Sequence, residues 1–298
     1  MSSSIEKTAT SPKKPSWLKV RLSGGEAYRE VRQLIQKENL HTVCTSAHCP
    51  NVGDCWSRRT ATFMILGDIC TRNCHFCAVR SGKPTGVDSE EPLRVAKAVE
   101  RLKLRHAVIT SVTRDDLPDG GASVFVQAIE HIRRQNKECS IEVLIPDFLG
   151  NMRALESVFQ ARPDILNHNL EVVPRLYPRV RPGARYQRSL SILAKAKQAE
   201  LITKTGIMVG LGENRSELLE LFQQLVAIDL DILTIGQYLQ PSSAHLAVQK
   251  FYTPEEFREF KIIGERMGIG HVESGPLVRS SFHADEQMEK LTNIHTAG

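Results

Sequence analysis

An α/β fold with parallel strands is predicted by three features of this 298-residue sequence. Short β-branched runs alternate with longer helical patterns from about residue 60 onward. The composition, 41% apolar and 24% charged, is that of an ordinary globular core and excludes a disordered, collagenous or coiled-coil chain. Polar or unusual residues also collect where each strand run ends, as they do on the functional face of a βα fold.

Six strands are expected at 62–67, 107–112, 141–145, 165–170, 203–209 and 231–236. Helices are expected at about 91–104, 121–136, 151–160, 186–199, 214–228 and 254–267. In the first helix Leu93, Ala96, Val99 and Leu102 recur every three residues, with Pro92 near the start. Asn214 with Glu217 forms a capping-box pattern, and Thr253-Pro254-Glu255-Glu256 supplies cap, first-turn proline and reciprocal glutamate. Six βα units in series imply right-handed crossovers. They leave two arrangements, an open doubly wound sheet or a six-unit barrel, complete or partial. In either, function belongs at the strand carboxyl ends.

The formal charge of +5 permits an acidic partner, but no aromatic-basic motif signals nucleic acid. No apolar run approaches 18 residues, so no membrane helix is expected. Residues 1–16 are polar and read as a flexible arm of a cytoplasmic protein. The seven cysteines are an odd number without a signal peptide, which favours metal ligation in a reducing compartment over disulfides.

Cys70, Cys74 and Cys77 sit in the loop leaving the first strand (GDICTRNCHFCAVR). Three thiolates so spaced can hold three corners of a cubane cluster and leave one iron open. A structural zinc would have to recruit His75 or a distant ligand. Cys44, Cys49 and Cys55 form a second, unevenly spaced triad before the βα series, again short of a fourth cysteine. Cys139, between a helix and a strand, reads as a spare small residue.

CxxxCxΦC with Phe76 before its last cysteine resembles the radical S-adenosylmethionine superfamily. Together CTSAHCPNVGDCW, GDICTRNCHFC, TSVTRDDLPDGGA, NHNLEVVPRLYPRVRPGA, TKTGIMVGLGE, GQYLQPS and GPLVRSSFHADE resemble the lipoyl synthase family, from about Trp17 to Ala284. The resemblance implies a partial (β/α)6 TIM-like barrel at 61–270. It further implies an arm and N-terminal extension at 1–60 and a C-terminal extension at 271–298, the extensions carrying an auxiliary iron–sulfur cluster. It implies two 4Fe-4S clusters and S-adenosyl-L-methionine as cofactors. One cluster would be held by Cys70, Cys74 and Cys77, the other by Cys44, Cys49, Cys55 and Ser281, the second serine of Arg279-Ser280-Ser281. Phe282 replaces the tyrosine usual after that motif.

The implied reaction inserts two sulfur atoms, at C6 and C8, into a protein-bound octanoyl-lysine, with the auxiliary cluster as sulfur donor. Its implied partners are an octanoylated lipoyl carrier domain (a 2-oxoacid dehydrogenase E2 component or a glycine-cleavage H protein) and a low-potential electron donor. Thr113, Asn169, Glu171, Arg188, Gly210 and Tyr238 are the candidate S-adenosylmethionine contacts. Arg188 is chosen from the run Arg175, Arg179, Arg181, Arg185 and Arg188 because a guanidinium fork suits the methionine carboxylate; the other arginines are candidates for an acidic partner. The tail is expected to fold back over the active-site mouth. Asp115 and Asp116 are assigned to positioning, since hydrogen abstraction by a radical needs no general base. The rivals are a biotin-synthase-like inserter and a non-catalytic iron–sulfur carrier.

Overall fold

The computed structural model describes residues 11–19, 24–284, 286 and 287. Most of the expected arm, residues 1–10, lies outside them. The strands are β1 (His41–Thr42), β2 (Thr62–Ile65), β3 (Ile69–Cys70), β4 (Arg80–Ser81) and β5 (His106–Ser111), followed by β6 (Ser140–Leu144), β7 (Ile165–Asn167), β8 (Ile202–Val209), β9 (Ile232–Gln237) and β10 (His271–Gly275). Eight of them form one sheet in the order β1-β2-β5-β6-β7-β8-β9-β10, while β3 and β4 pair separately. From β2 to β10 every pairing is parallel and follows chain order. A doubly wound sheet would reverse its order at a switch point. The unbroken order therefore selects barrel winding. Among the described residues no ladder joins β1 to β10, so the barrel is partial.

Several elements were not expected from the sequence, among them the helices at Glu26–Lys37, Val43–Ser46, Val52–Ser57 and Tyr177–Val180 and the short pair β3 and β4; two more extend the main sheet. Strand β1 adds antiparallel to β2, with His41 opposite Met64. Strand β10 extends the parallel sheet to Gly275, past the expected boundary at 270. Its sequence, HVESG, has one aliphatic residue and lacks the apolar run that marks a strand.

The helices are α1 (Glu26–Lys37), α2 (Val43–Ser46), α3 (Val52–Ser57), α4 (Glu91–Arg101) and α5 (Ala122–Gln135), then α6 (Met152–Gln160), α7 (Tyr177–Val180), α8 (Tyr186–Gln198), α9 (Arg215–Ala227) and α10 (Pro254–Met267). Both expected capping boxes form, at Asn214–Glu217 and Thr253–Glu256. Gly268, in the left-handed conformation, ends α10. Apolar residues bury between sheet and helices in two large clusters, one around β2, β5 and β6, the other around β8 and β9. Fully buried side chains such as Phe125 and Phe222 each contribute about 1.5–3 kcal/mol. Cys139 packs into the first cluster as a small core residue.

The sheet also buries a charged group. Glu142 on β6 lies 2.9 Å from Lys204 Nζ on β8, and both are fully buried. Asn167 donates to Glu142 at 2.8 Å, and His106 Nε2 stands 3.5 Å away. Burial alone pushes the Glu142 carboxyl up, but Lys204, His106 and Asn167 bring it down to about 2. The native carboxylate thus titrates below its unfolded value of about 4.3, and its stabilisation is present above that pH. The melting temperature should fall as pH drops from about 5 towards 2. Lys204→Met, which strands the carboxylate, should cost about 3–5 kcal/mol at neutral pH and much less at pH 2. Denaturant titrations at the two pH values check this.

Candidate active site

One cavity of about 530 Å³ contains the site. It is lined by all six clustered cysteines, by Thr113, Asn169, Glu171, Arg181, Gly206 and Tyr238, and by Arg279, Ser280 and Ser281. Parallel strands point alternate residues inward, and this alternation brings such distant positions to one wall.

The loop carrying Cys70, Cys74 and Cys77 leaves the carboxyl end of β2, as expected. It is fastened on several sides. Arg72 makes a two-pronged pair with Asp115 at 2.7 and 2.9 Å and reaches Asp147 at 2.5 Å. Asp147 also accepts from Arg188 at 2.9 Å. Burial would raise the Asp147 carboxyl, but these two arginines hold it down at about 2. His75 Nδ1 lies 2.7 Å from the Arg179 carbonyl, and His245 Nε2 lies 3.0 Å from the Cys77 carbonyl. The Thr113 amide donates to Cys70 Sγ at 3.3 Å. Asp115 and Asp116 are both occupied by arginines, Arg72 and Arg114, which agrees with a positioning role.

The second triad lies elsewhere. Cys44 lies in α2, the turn after β1, and β1 runs antiparallel to β2, so this triad stands at the amino end of β2. The expectation that function gathers at the strand carboxyl ends therefore holds for one triad only. The Thr62 amide bonds to the Cys44 thiol. The Thr62 hydroxyl donates to Ser281 Oγ at 2.7 Å, so one residue at the foot of β2 seats both Cys44 and Ser281. The tail consequently enters the barrel instead of folding over its mouth. On the way Ser280 exchanges hydrogen bonds with the Asn169 amide at 2.8 and 3.0 Å. A Cβ at Gly206 would come within 2.8 Å of Ser280 Oγ, and one at Gly236 would collide with the Val278 carbonyl. The two bare positions on β8 and β9 are what admit the tail.

Four of the six candidate contact residues line the cavity and two do not. Asn169, Glu171, Thr113 and Tyr238 line it, the Tyr238 hydroxyl being held by the Leu246 carbonyl at 2.7 Å. Gly210 and Arg188 stand outside the lining. Gly210 faces Gln237 and the Lys250 carbonyl, and Arg188 is spent on Asp147. Within the arginine run it is Arg181 that reaches the cavity. It donates to the Asn169 carbonyl at 2.8 Å and to the Tyr177 hydroxyl at 3.2 Å, while its Nε has no partner. Glu171 faces the same space; burial raises its carboxyl, with Arg181 opposing. His168 was also missed. Burial pushes it down to about 4, and its ring bridges the Ile145 carbonyl and Ser189, which fixes a neutral ring with the proton on Nδ1.

The thiols test which group fits. Burial raises Cys44 to about 11, Cys55 and Cys77 to about 12, and Cys74 above its ordinary value. Such thiols ionise only against a nearby positive core, as an iron–sulfur cluster provides. Among the described residues no three His, Cys, Asp or Glu side chains are grouped as around a single ion.

A cysteine triad on the loop after the first parallel strand of a partial barrel defines the class. Residues 64–225, more than half the chain, match the Radical SAM superfamily, and the chain belongs to it. SuiB of Streptococcus suis bound to S-adenosylmethionine shares the fold, with TM-score 0.56 and 10% identity over 75% of this chain and 53% of its own. Methylornithine synthase (PylB) does so with TM-score 0.52 and 13% identity over 74% and 72%. Among curated relatives, the lipoyl synthase of Rubrobacter xylanophilus is 56% identical over 278 residues, covering 93% of this chain and 87% of that protein. The lipoyl synthase of Symbiobacterium thermophilum is 57% identical over 277 residues, covering 92% and 87%. The chain belongs to the lipoyl synthase family.

Proposed function

We propose that this enzyme inserts two sulfur atoms, at C6 and C8, into an octanoyl chain carried on a lysine of a lipoyl carrier domain. The observation that carries the reading is one cavity lined by both cysteine triads and by Ser281, so that a substrate chain has access to both. Cys70, Cys74 and Cys77 hold one 4Fe-4S cluster; Cys44, Cys49, Cys55 and Ser281 hold the other. When bound, the clusters and S-adenosylmethionine supply a hydrogen-abstracting radical and the sulfur, chemistry beyond any side chain.

The chain's own residues bind, orient and exclude water. Arg181, with its free Nε, and Glu171 are suited to the carboxylate and amino groups of S-adenosylmethionine, in place of Arg188. Asn169 and Thr113 stay beside them as further contacts, and Tyr238 offers a ring with its hydroxyl already satisfied. Thr62 supports Ser281 rather than Ser280 as the oxygen ligand, because Ser280 is committed to Asn169. An alkoxide matches iron less well than a thiolate, which suits a cluster meant to yield sulfide.

The test is anaerobic reconstitution with iron and sulfide, then mass spectrometry of an octanoyl-lysyl peptide after turnover with a chemical reductant. A gain of two sulfurs is expected. 5′-Deoxyadenosine with no sulfur gain would redirect the enzyme to another radical reaction.

A further inference from the structure

The arginine run contains more cations than the cavity uses. Arg175 pairs with Glu217, Arg188 with Asp147, and Arg181 faces the cavity. Arg179 and Arg185 are exposed, and neither makes an ion pair among the described residues. Exposed Arg153, the second residue of α6, is also without one.

Just before Arg153 in the chain stands an unusual turn. Phe148, Leu149 and Gly150 all adopt left-handed backbone, with φ of 42°, 54° and 81°. Two of these are residues for which that region is costly. The turn is nevertheless tightly held. Phe148 is buried edge-on against Phe125, the Asp147 carboxylate accepts from the Leu149 amide at 3.2 Å, and the Asp147 carbonyl accepts from the Gly150 amide at 2.7 Å. All this fixes a leucine side chain that is 54% exposed, the most exposed large apolar residue among those described. Glycine would fit the backbone better, and among the described residues Leu149 belongs to none of the core clusters.

The position of the turn supplies a reason. It follows β6 at the strand carboxyl ends, and Gly150 lies against Arg188, one helical turn beyond Arg185. Asp147, its first residue, is tied through Arg72 to the Cys70–Cys77 loop, and the Arg179 carbonyl holds His75 of that loop. An exposed leucine set among unpaired arginines therefore adjoins the radical-cluster end of the cavity.

The geometry points to this face as the docking site for the substrate's carrier domain. Leu149 is the apolar anchor, and Arg153, Arg179 and Arg185 meet an acidic surface around the acylated lysine. This rests on the reading of a carrier-bound substrate: a cavity of about 530 Å³ takes an acyl-lysine arm but no protein, so the carrier body must sit on the rim. The occupant is acidic because, among the described residues, three arginines, Arg153, Arg179 and Arg185, are left unpaired here against one unpaired carboxylate, Glu156.

The experiment compares two substrates on reconstituted enzyme, an octanoylated carrier domain and a short octanoyl-lysyl peptide. Leu149→Gly should raise KM for the carrier about tenfold, leave peptide kcat/KM unchanged, and match or exceed the parent's melting temperature because the turn is relieved. Arg185→Glu should also raise carrier KM, with a penalty that shrinks as salt is added. Unchanged carrier KM in both variants would overturn the proposal. So would a parallel loss on carrier and peptide, which would place the turn's effect in the cluster loop, or a changed oligomeric state, which would assign the face to a second copy of the chain. If the parent enzyme converted neither the carrier nor the peptide, the reaction assignment would fall, and carrier binding by titration calorimetry would still decide the docking site.

Discussion

Replacing Cys70, Cys74 and Cys77 together with alanine should leave a protein that forms no measurable 5′-deoxyadenosine and keeps about four irons per chain on the other triad. The complementary variant, with Cys44, Cys49 and Cys55 changed to alanine, should also keep about four irons, still form 5′-deoxyadenosine and yield no sulfur-containing product. The asymmetry follows from the fold. One triad hangs on the loop at the carboxyl end of β2, in the same cavity as Arg181 and Glu171, the pair suited to an amino-acid headgroup. The other stands at the amino end of β2, where Thr62 joins Cys44 to Ser281. The triads are held by separate contacts: Arg72, His75 and His245 fasten the first, whereas Thr62 and the turn after β1 place the second. Emptying one should therefore leave the other intact. Iron analysis with chromatography of the nucleoside product checks both variants. Nucleoside formation by the first would mean that the roles of the triads are reversed.

Much of this arrangement was legible in the sequence because it depends on local signals. Capping boxes at Asn214 and Thr253, β-branched strand runs and close cysteine spacings act within a few residues, and the structure places them as read. Long-range consequences were not. Nothing near His271 marks it as the start of a strand, because β10 is stabilised by its parallel partner β9 and not by its own composition. Arg188 was chosen for its chemistry, yet Asp147, 41 residues earlier, claims it. Arg181 shares that chemistry and differs only in what surrounds it. Of the glycines in and just after β8, the candidate contact Gly210 stands outside the cavity lining and Gly206 within it. Gly206 clears space for the tail, whereas Gly210 serves a turn against Gln237 and Lys250. The entry of the tail into the barrel had no sequence signature, since it depends on Gly236 and Gly206 facing inward on adjacent strands.

That entry leads to the second large effect: Gly236→Ala should abolish sulfur insertion while preserving cleavage of S-adenosylmethionine. A methyl group at 236 would run into the Val278 backbone carbonyl, with Arg279 Nη1 only 3.1 Å away. The obstacle is main chain, so no rotamer change relieves it. Overpacking of this kind typically costs about 1–3 kcal/mol. Either β9 or residues 278–281 must yield. Strand β9 is paired on both sides, to β8 and β10, over five or more residues each. Deep in the barrel the tail is held chiefly by Ser280 on Asn169 and Ser281 on Thr62. The tail should therefore retreat, and Ser281 with it. We expect product formation to fall at least 100-fold, comparable to Ser281→Ala, because about 2.7 kcal/mol of lost positioning already accounts for that factor. 5′-Deoxyadenosine formation should stay within about tenfold of the parent, which also shows that the barrel still folds. Gly206→Ala meets only side-chain atoms, the nearest being Ser280 Oγ and Thr234 Oγ1 at 2.8 Å, and should be milder. A readout independent of turnover is limited trypsin digestion. Arg279 is half-buried beside a buried Val278 in the parent, and cleavage after it should accelerate in Gly236→Ala as the tail leaves. Parental digestion together with parental sulfur insertion would show that residues 278–281 reach the second triad without needing bare space on β9.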